Sequence, residues 1–387
     1  MSSVIKFLDL NANYSSLVTG IKEEIDQSIT KNITNSQFIQ GEDTKLFEKE
    51  FASFIGVKYC IGVGNGTDAL EIAIKSLNLE PGSEIILQPN TFIATALGIS
   101  NNNLIPVFVD INPDTLMIDH TQIESKITNK TRALCIVHLY GTSPNMNEIL
   151  RIKKQYNLLL IEDCAQSHGS LYNGQYSGTF GDIACFSFYP GKNLGCYGDG
   201  GAITTNSGEL FQCIKLIHNL GSEVKYHHII KGRNSRLDTI QAGILRIKLK
   251  YLDKNNELRR QNAKLYNKLL ENVKGIKTLS ILENVMPVWH LYIIRVLGKD
   301  NTTNDTVNNN EISKREALQL YLKENGIETG IHYPIPIHKQ KAYLEYNKDS
   351  YPITDIISNE ILSLPMYPEL SHDKIEYICK KINEFFK

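Results

Sequence analysis

The chain has 387 residues, enough for one large domain plus a smaller one, and its apolar and charged fractions, 42% and 21%, are those of an ordinary globular protein. A net charge of -1 with no basic stripe gives no electrostatic reason to expect nucleic acid, and no apolar run approaches the roughly 20 residues of a bilayer span. The N-terminal stretch lacks the charged and apolar regions of a secretory signal, and the seven cysteines are scattered with no CxxC pair. The expectation is a soluble, cytoplasmic protein with reduced thiols, no metal site and no membrane partner.

Residues 15–31 repeat apolar side chains at helical spacing, and 43–56 do so again with Phe47, Phe51 and Phe54 or Ile55 on one face. Short β-rich apolar runs then predict strands at 58–63, 84–88, 105–109, 132–138, 158–162, 183–188 and 201–205. Helical stretches at 67–78, 91–101, 146–156 and 209–220 separate them. Such alternation means βαβ units and a mainly parallel sheet with helices on both faces. One long helix is predicted over 238–271, followed by a strand at 289–297 and helices at 314–325, 354–362 and 372–386. That organisation places a large α/β domain at 1–250, opened by a helical segment, and a smaller α+β domain at 251–387. Residues 300–311, rich in Asn, Thr and Asp with no apolar face, read as a polar surface insertion.

The chemistry concentrates between Leu158 and Gly201. Two apolar strands there deliver Asp163, Gln166, His168, Ser187 and Lys192 to neighbouring loop ends, where parallel sheets bind ligands. An acid, an amide, a hydroxyl and an amine converging in this way suggest an aldehyde cofactor held as a Schiff base. Lysine becomes nucleophilic when desolvation depresses its pKa, and Lys192, in a Gly-rich turn behind an apolar run, fits that better than a solvated surface lysine. Asp163 would be costly to bury alone, and a protonated pyridine nitrogen is a suitable partner; an acid capping a loop is the plainer alternative. Gln166 can donate to a phenolate oxygen, and Ala165 is small enough to lie under a flat ring. Phe92 can stack on the ring's other face or simply fill core.

"GVGNGTDAL" supplies a second element. Gly64 and Gly66 allow a tight turn into a helix whose free N–H groups suit a phosphate, with the Thr67 hydroxyl adding a bond. The spacing is not that of a dinucleotide-binding fingerprint, and the acid expected about 20 residues on is missing. A helix capped by Thr67 or Asp68 after a glycine turn is the competing reading. Ser187, five residues before Lys192, can add a phosphate bond.

Taken together, "GNGTDAL", "PNTFIAT", "VHLYG", "EDCAQSHG", "FSFYPGKNLG", "GDGGAI", "NSRLDTIQAGIL" and "HYPIPIH" resemble the DegT/DnrJ nucleotide-sugar aminotransferases, a branch of the aspartate-aminotransferase (fold type I) enzymes. The resemblance runs from about residue 8 to the C-terminus apart from 300–311, and departs from the usual "EDAAQAHG" at Cys164 and Ser167, both small replacements. It implies pyridoxal 5'-phosphate, passing through pyridoxamine 5'-phosphate, bound to Lys192. Asp163 would pair with the ring nitrogen, Gln166 with the ring hydroxyl, and Gly66, Thr67 and Ser187 with the phosphate. Asn234 would reach the phosphate of a neighbouring subunit, making the active unit a homodimer. The implied reaction is glutamate-dependent amination of a dTDP-linked keto-6-deoxyhexose, at C3 by the look of "VWHLYIIR" and "GIHYPIPIH", with C4 the alternative. His168, Tyr189, His332 and Tyr333 are candidates for contacting the sugar, the last two also reading as a turn that packs one domain on the other. Relatives that replace the lysine by histidine dehydrate sugars instead, and Lys192 argues against that here.

Overall fold

A computed structural model describes residues 4–15, 21–298, 312–347 and 349–387. The predicted insertion at 300–311 and residues 16–20 of the predicted 15–31 helix lie outside them. After a short helix at Leu10–Ser15, two longer ones, α1 (Ile21–Thr34) and α2 (Glu42–Ile55), lead into the sheet. On α2 the buried face is Phe47, Phe51 and Ile55, stacked at helical spacing, and the chain leaves it through Gly56 at φ 86.

The sheet strands are β1 (Tyr59–Val63), β2 (Glu84–Leu87), β3 (Ile105–Phe108), β4 (Thr131–Val137), β5 (Leu159–Asp163), β6 (Ile183–Ser187) and β7 (Gly201–Thr205). Among the described residues they form one seven-stranded sheet in the order β1-β7-β6-β5-β4-β2-β3. Only β7 runs against the rest, pairing antiparallel with β1 and β6. Helices α3 (Gly66–Ser76), α4 (Ile93–Ser100) and α5 (Met146–Gln155) connect successive strands, and α6 (Gly208–Ile217) follows the last of them. Strands covered on both faces must be apolar on both, and one core joins Ile85, Ala133, Ile161 and Ile183 to α3 and α4, while another joins Ile86, Leu134, Ile136 and Leu160 to α5. Each Ile or Leu among them contributes about 1.5–3 kcal/mol by leaving water. The fold class expected from the sequence therefore holds, and every expected strand of this sheet is present.

Two expectations about the later chain need correction. The single helix over 238–271 is two, α7 (Thr239–Leu249) and α8 (Leu252–Leu270). The last turn of α7 tightens into three-residue bonds, Lys250 N to Ile247 O and Tyr251 N to Lys248 O, and the chain bends with neither Gly nor Pro to announce it. The bend lets Ile244 and Ile247 pack on Ile21 and Ile25 of α1 while Ala263, Tyr266 and Leu270 enter a separate core.

That core is built on a second, antiparallel sheet of β8 (Ile276–Thr278), β9 (Tyr292–Val296) and β10 (Ile361–Leu364), packed by α8, α9 (Lys314–Glu324) and α11 (His372–Phe385). The predicted helix at 354–362 stops at Glu360 (α10, Pro352–Glu360), and Ile361–Leu364 pairs with β9 instead. An apolar run is ambiguous between the two states, and here the free edge of β9 decides. No helix among the described residues is long and apolar enough to cross a membrane.

Candidate active site

The carboxyl ends of the parallel strands open into a cavity of about 680 Å³, and each end contributes differently. After β1, Asn65 caps α3 by accepting from Asp68 N at 2.8 Å, so the cap is neither Thr67 nor Asp68. The N–H groups of Gly66 and Thr67 have no acceptor among the described residues, and both residues line the cavity. Gly66 is required there: a Cβ on it would sit 2.6 Å from Ser187 Cβ, so only glycine lets the helix start close against the end of β6. The result is a cup of free amides and a hydroxyl at a helix N-terminus, which suits an anion.

β5 ends in Asp163, 5% exposed, on the cavity floor. Its Oδ2 accepts from the Thr95 hydroxyl at 2.8 Å and its Oδ1 from Ala165 N at 3.1 Å. Burial nonetheless raises its pKa, and the opposing hydrogen bonds and the charge of Lys192 do not cancel the effect. A cationic partner is what this carboxylate lacks.

Gln166 is oriented unambiguously. Tyr140 N donates to its Oε1 at 2.7 Å, so the amide nitrogen is the atom left for the cavity, where it reaches the Tyr333 hydroxyl at 3.2 Å. Tyr140 is held for this task at φ 61 within the corner Leu139–Gly141, a left-handed conformation that costs a non-glycine residue about 1–2 kcal/mol.

Lys192 sits in the loop between β6 and β7, its main-chain N–H donating to Tyr189 O at 2.8 Å. Its amine makes no hydrogen bond or ion pair among the described residues, and burial presses its pKa down to about 8 against the pull of Asp163. An amine so placed is a nucleophile and proton carrier near neutral pH.

Phe92 lines the mouth with half its surface exposed, its ring 5.5 Å from that of Tyr333. Tyr189, His332 and Tyr333 also line the wall, with His332 Nδ1 2.8 Å from Ser363 Oγ and its ring stacked on Phe7. The structure thus brings together Gly66, Thr67, Phe92, Asp163, Gln166, Ser187, Tyr189, Lys192, His332 and Tyr333. Two predicted residues are elsewhere. His168 is fully buried against Phe186 and Phe188, not on the cavity wall; burial and then Lys192 push its pKa down to about 3. Asn234 is exposed on the stretch after the hairpin Ser222–His228 and does not line this chain's cavity.

The sequence reading missed Thr95, whose i+4 spacing from Thr91 stacks two hydroxyls (3.1 Å apart) beneath Asp163, and His290, a polar ring opening the apolar run of β9.

Chemically, the cavity can hold a flat cationic ring over Asp163 and an attached anion in the cup at α3, with an amine beside them. A family model described as the DegT/DnrJ/EryC1/StrS aminotransferase family matches residues 19–383. The dTDP-3-amino-3,6-dideoxy-alpha-D-galactopyranose transaminase of Aneurinibacillus thermoaerophilus is 45% identical over 387 residues, 99% of each chain. A pleiotropic regulatory protein of Geobacillus stearothermophilus is 40% identical over 387 residues, again 99% of each. The crystal structure of S. venezuelae DesV in complex with a ketimine intermediate superposes with a TM-score of 0.92 at 35% identity, covering 100% of this chain and 99% of that one. The chain belongs to the DegT/DnrJ/EryC1/StrS aminotransferase family.

Proposed function

We propose that this protein moves an amino group from L-glutamate to C3 of a dTDP-linked keto-6-deoxyhexose, with pyridoxal 5'-phosphate as cofactor. The observation that carries the reading is a buried carboxylate short of a cation, Asp163, in the same cavity as a partnerless amine, Lys192. The dTDP-3-amino-sugar transaminase among the relatives supports the substrate and the position.

The residues present fit the cofactor. Asp163 would face the protonated ring nitrogen, the Gln166 amide nitrogen the ring hydroxyl, and Phe92 and Ala165 the two ring faces. The free amides of Gly66 and Thr67, with the Ser187 hydroxyl, would take the phosphate. When bound, pyridoxal phosphate supplies an electron sink for the carbanion formed at an amino-bearing carbon. Thr95 and Ala165 N–H hold the Asp163 carboxylate in place and help keep it ionised. Lys192, with a pKa near 8, takes the proton from Cα of glutamate and later delivers one to the sugar carbon being aminated. Tyr189, His332 and Tyr333 would contact the sugar.

Asn234, unused in its own cavity, would complete the phosphate cup of a neighbouring subunit in a homodimer. The division into a large domain at 1–250 and a small one at 251–387, and residence in the cytoplasm, belong to the same proposal.

The test is a visible-absorbance titration of the cofactor-loaded protein. Glutamate should bleach the cofactor band, and after its removal the 3-keto sugar alone should restore it. Restoration by the 4-keto sugar alone would move the amination to C4. A regulator on the same fold is the second reading, favoured by the pleiotropic regulatory relative; a protein that glutamate does not bleach would support it.

A further inference from the structure

One histidine on the cavity wall has no part in the chemistry above, and its neighbours fix where its proton sits. His290, just before β9, lines the cavity together with Lys192. Its Nδ1 lies 3.1 Å from Asn193 Oδ1. Asn193 Nδ2 donates to the Val288 carbonyl and to Asn256 Oδ1, both at 2.9 Å. A main-chain carbonyl only accepts, so the Asn193 atom facing Val288 is nitrogen and the atom facing His290 is oxygen. Asn256 is fixed in the same way, since its Nδ2 donates to the His168 carbonyl at 2.9 Å. An amide oxygen cannot donate, so His290 Nδ1 carries a hydrogen. Burial, then the charges of Lys192 and Arg259, with His332 and His168 also nearby, hold the ring well below its usual pKa and therefore neutral. Nε2 is left with a lone pair and no partner among the described residues.

Lys192 has the complementary deficit. Its ammonium is a triple donor with no acceptor among the described residues, and buried donors of that kind need one. Asn193 follows Lys192 in the chain, so the two nitrogens of His290 address one turn. We infer that His290, as the neutral Nδ1–H tautomer, braces Asn193 with one nitrogen and offers the other to the Lys192 ammonium, positioning that amine between its proton transfers. The inference rests on the proposed role of Lys192 as proton carrier.

Two isosteric variants separate the nitrogens. His290→Asn keeps a donor at the Nδ1 position and loses the cavity acceptor; His290→Gln keeps an amide oxygen near the Nε2 position and loses the brace. The readout is the pKa of Lys192 in the cofactor-free protein, from the pH dependence of its acylation followed by peptide mass spectrometry. A hydrogen bond to an ammonium favours its charged form. His290→Asn should therefore lower the Lys192 pKa by about one unit, making it about fivefold more reactive at pH 7, while His290→Gln stays near wild type. Nitrogen-15 NMR of labelled histidine should show the resonance lost in His290→Asn as an Nδ1–H tautomer. An unchanged Lys192 in His290→Asn, a change confined to His290→Gln, or an Nε2–H tautomer would each overturn the inference. Acylation of Lys192 needs neither cofactor nor sugar, so failure here is distinct from failure of the glutamate and ketosugar titration.

Discussion

Two neighbouring carboxylates on β5 face opposite sides of the sheet and have opposite fates. Glu162, 0% exposed, accepts from His138 Nε2 at 2.9 Å and from the N–H groups of Gly178, Phe180 and Gly181 at 2.6–2.8 Å. His138 in turn meets Ser143 through its other nitrogen at 2.9 Å. That cluster, with Cys164 beside it, has the residue types of a metal site, yet its carboxylate is fully occupied by donors from the chain itself. Asp163 has two donors and a burial cost they do not offset. A buried acid completed by its own chain is architecture, whereas one left short marks where a ligand belongs.

Lys192→Ala should break the functional side altogether: no turnover, and no cofactor fixed to the protein by borohydride. Asp163→Asn should retain cofactor binding but lower kcat about 100-fold or more, since the ring nitrogen would lose its counter-charge. Near-normal turnover would remove Asp163 from its assigned role. Glu162→Gln should do the reverse, costing about 3 kcal/mol in urea unfolding, because the new amide nitrogen must face a main-chain N–H, while the folded fraction keeps its kcat.

The two variants should also differ in sign without cofactor. Asp163 has a raised folded pKa, so its contribution to stability is present at low pH and lost as pH rises. Cofactor-free Asp163→Asn should then be no less stable than wild type at pH 8. Thr95→Val, removing one donor from Asp163, should cost about 1.5 kcal/mol in kcat, roughly tenfold.

The smallest effect concerns Glu48, which accepts from Gly62 N at 2.8 Å and is raised by burial from 4.5 to about 7. Its stabilising share is present below pH 4.5 and lost as pH rises through about 7. Glu48→Gln should flatten that fall and be more stable than wild type at pH 8 in thermal unfolding.

Much of this was legible in the chain. The strands of the large sheet show as apolar runs because both faces are covered, and Asp163, Gln166, Ser187 and Lys192 show because polar groups directly after such runs fall at strand ends. What stayed hidden depends on long-range partners. Nothing local marks the bend at Lys250 and Tyr251, which exists because α7 and α8 serve different cores. Ile361–Leu364 becomes a strand only beside β9. His168 sits next to "DCAQ" yet packs against Phe186 and Phe188 in the interior, and spacing cannot distinguish that from a wall position. The role assigned to His290 needs Asn193, Asn256 and Val288, spread over 95 residues of chain, to be seen together.

The reversed direction of β7 has a consequence for how this protein can be altered. Because β6 and β7 are antiparallel neighbours, with Ser187 opposite Gly201, the segment carrying Lys192 leaves and re-enters the sheet at one spot. Its ends are pinned together by main-chain bonds such as Phe188 N to Gly200 O at 2.8 Å, independently of any crossover helix. Residues 188–200 therefore form a closed loop: exchanging them for those of a relative need not re-register the strands on either side, but the replacement must keep Phe188, Leu194 and Cys196, which share a core with Phe47 and Phe51, and Asn193, which bonds Asn256 and the Val288 carbonyl.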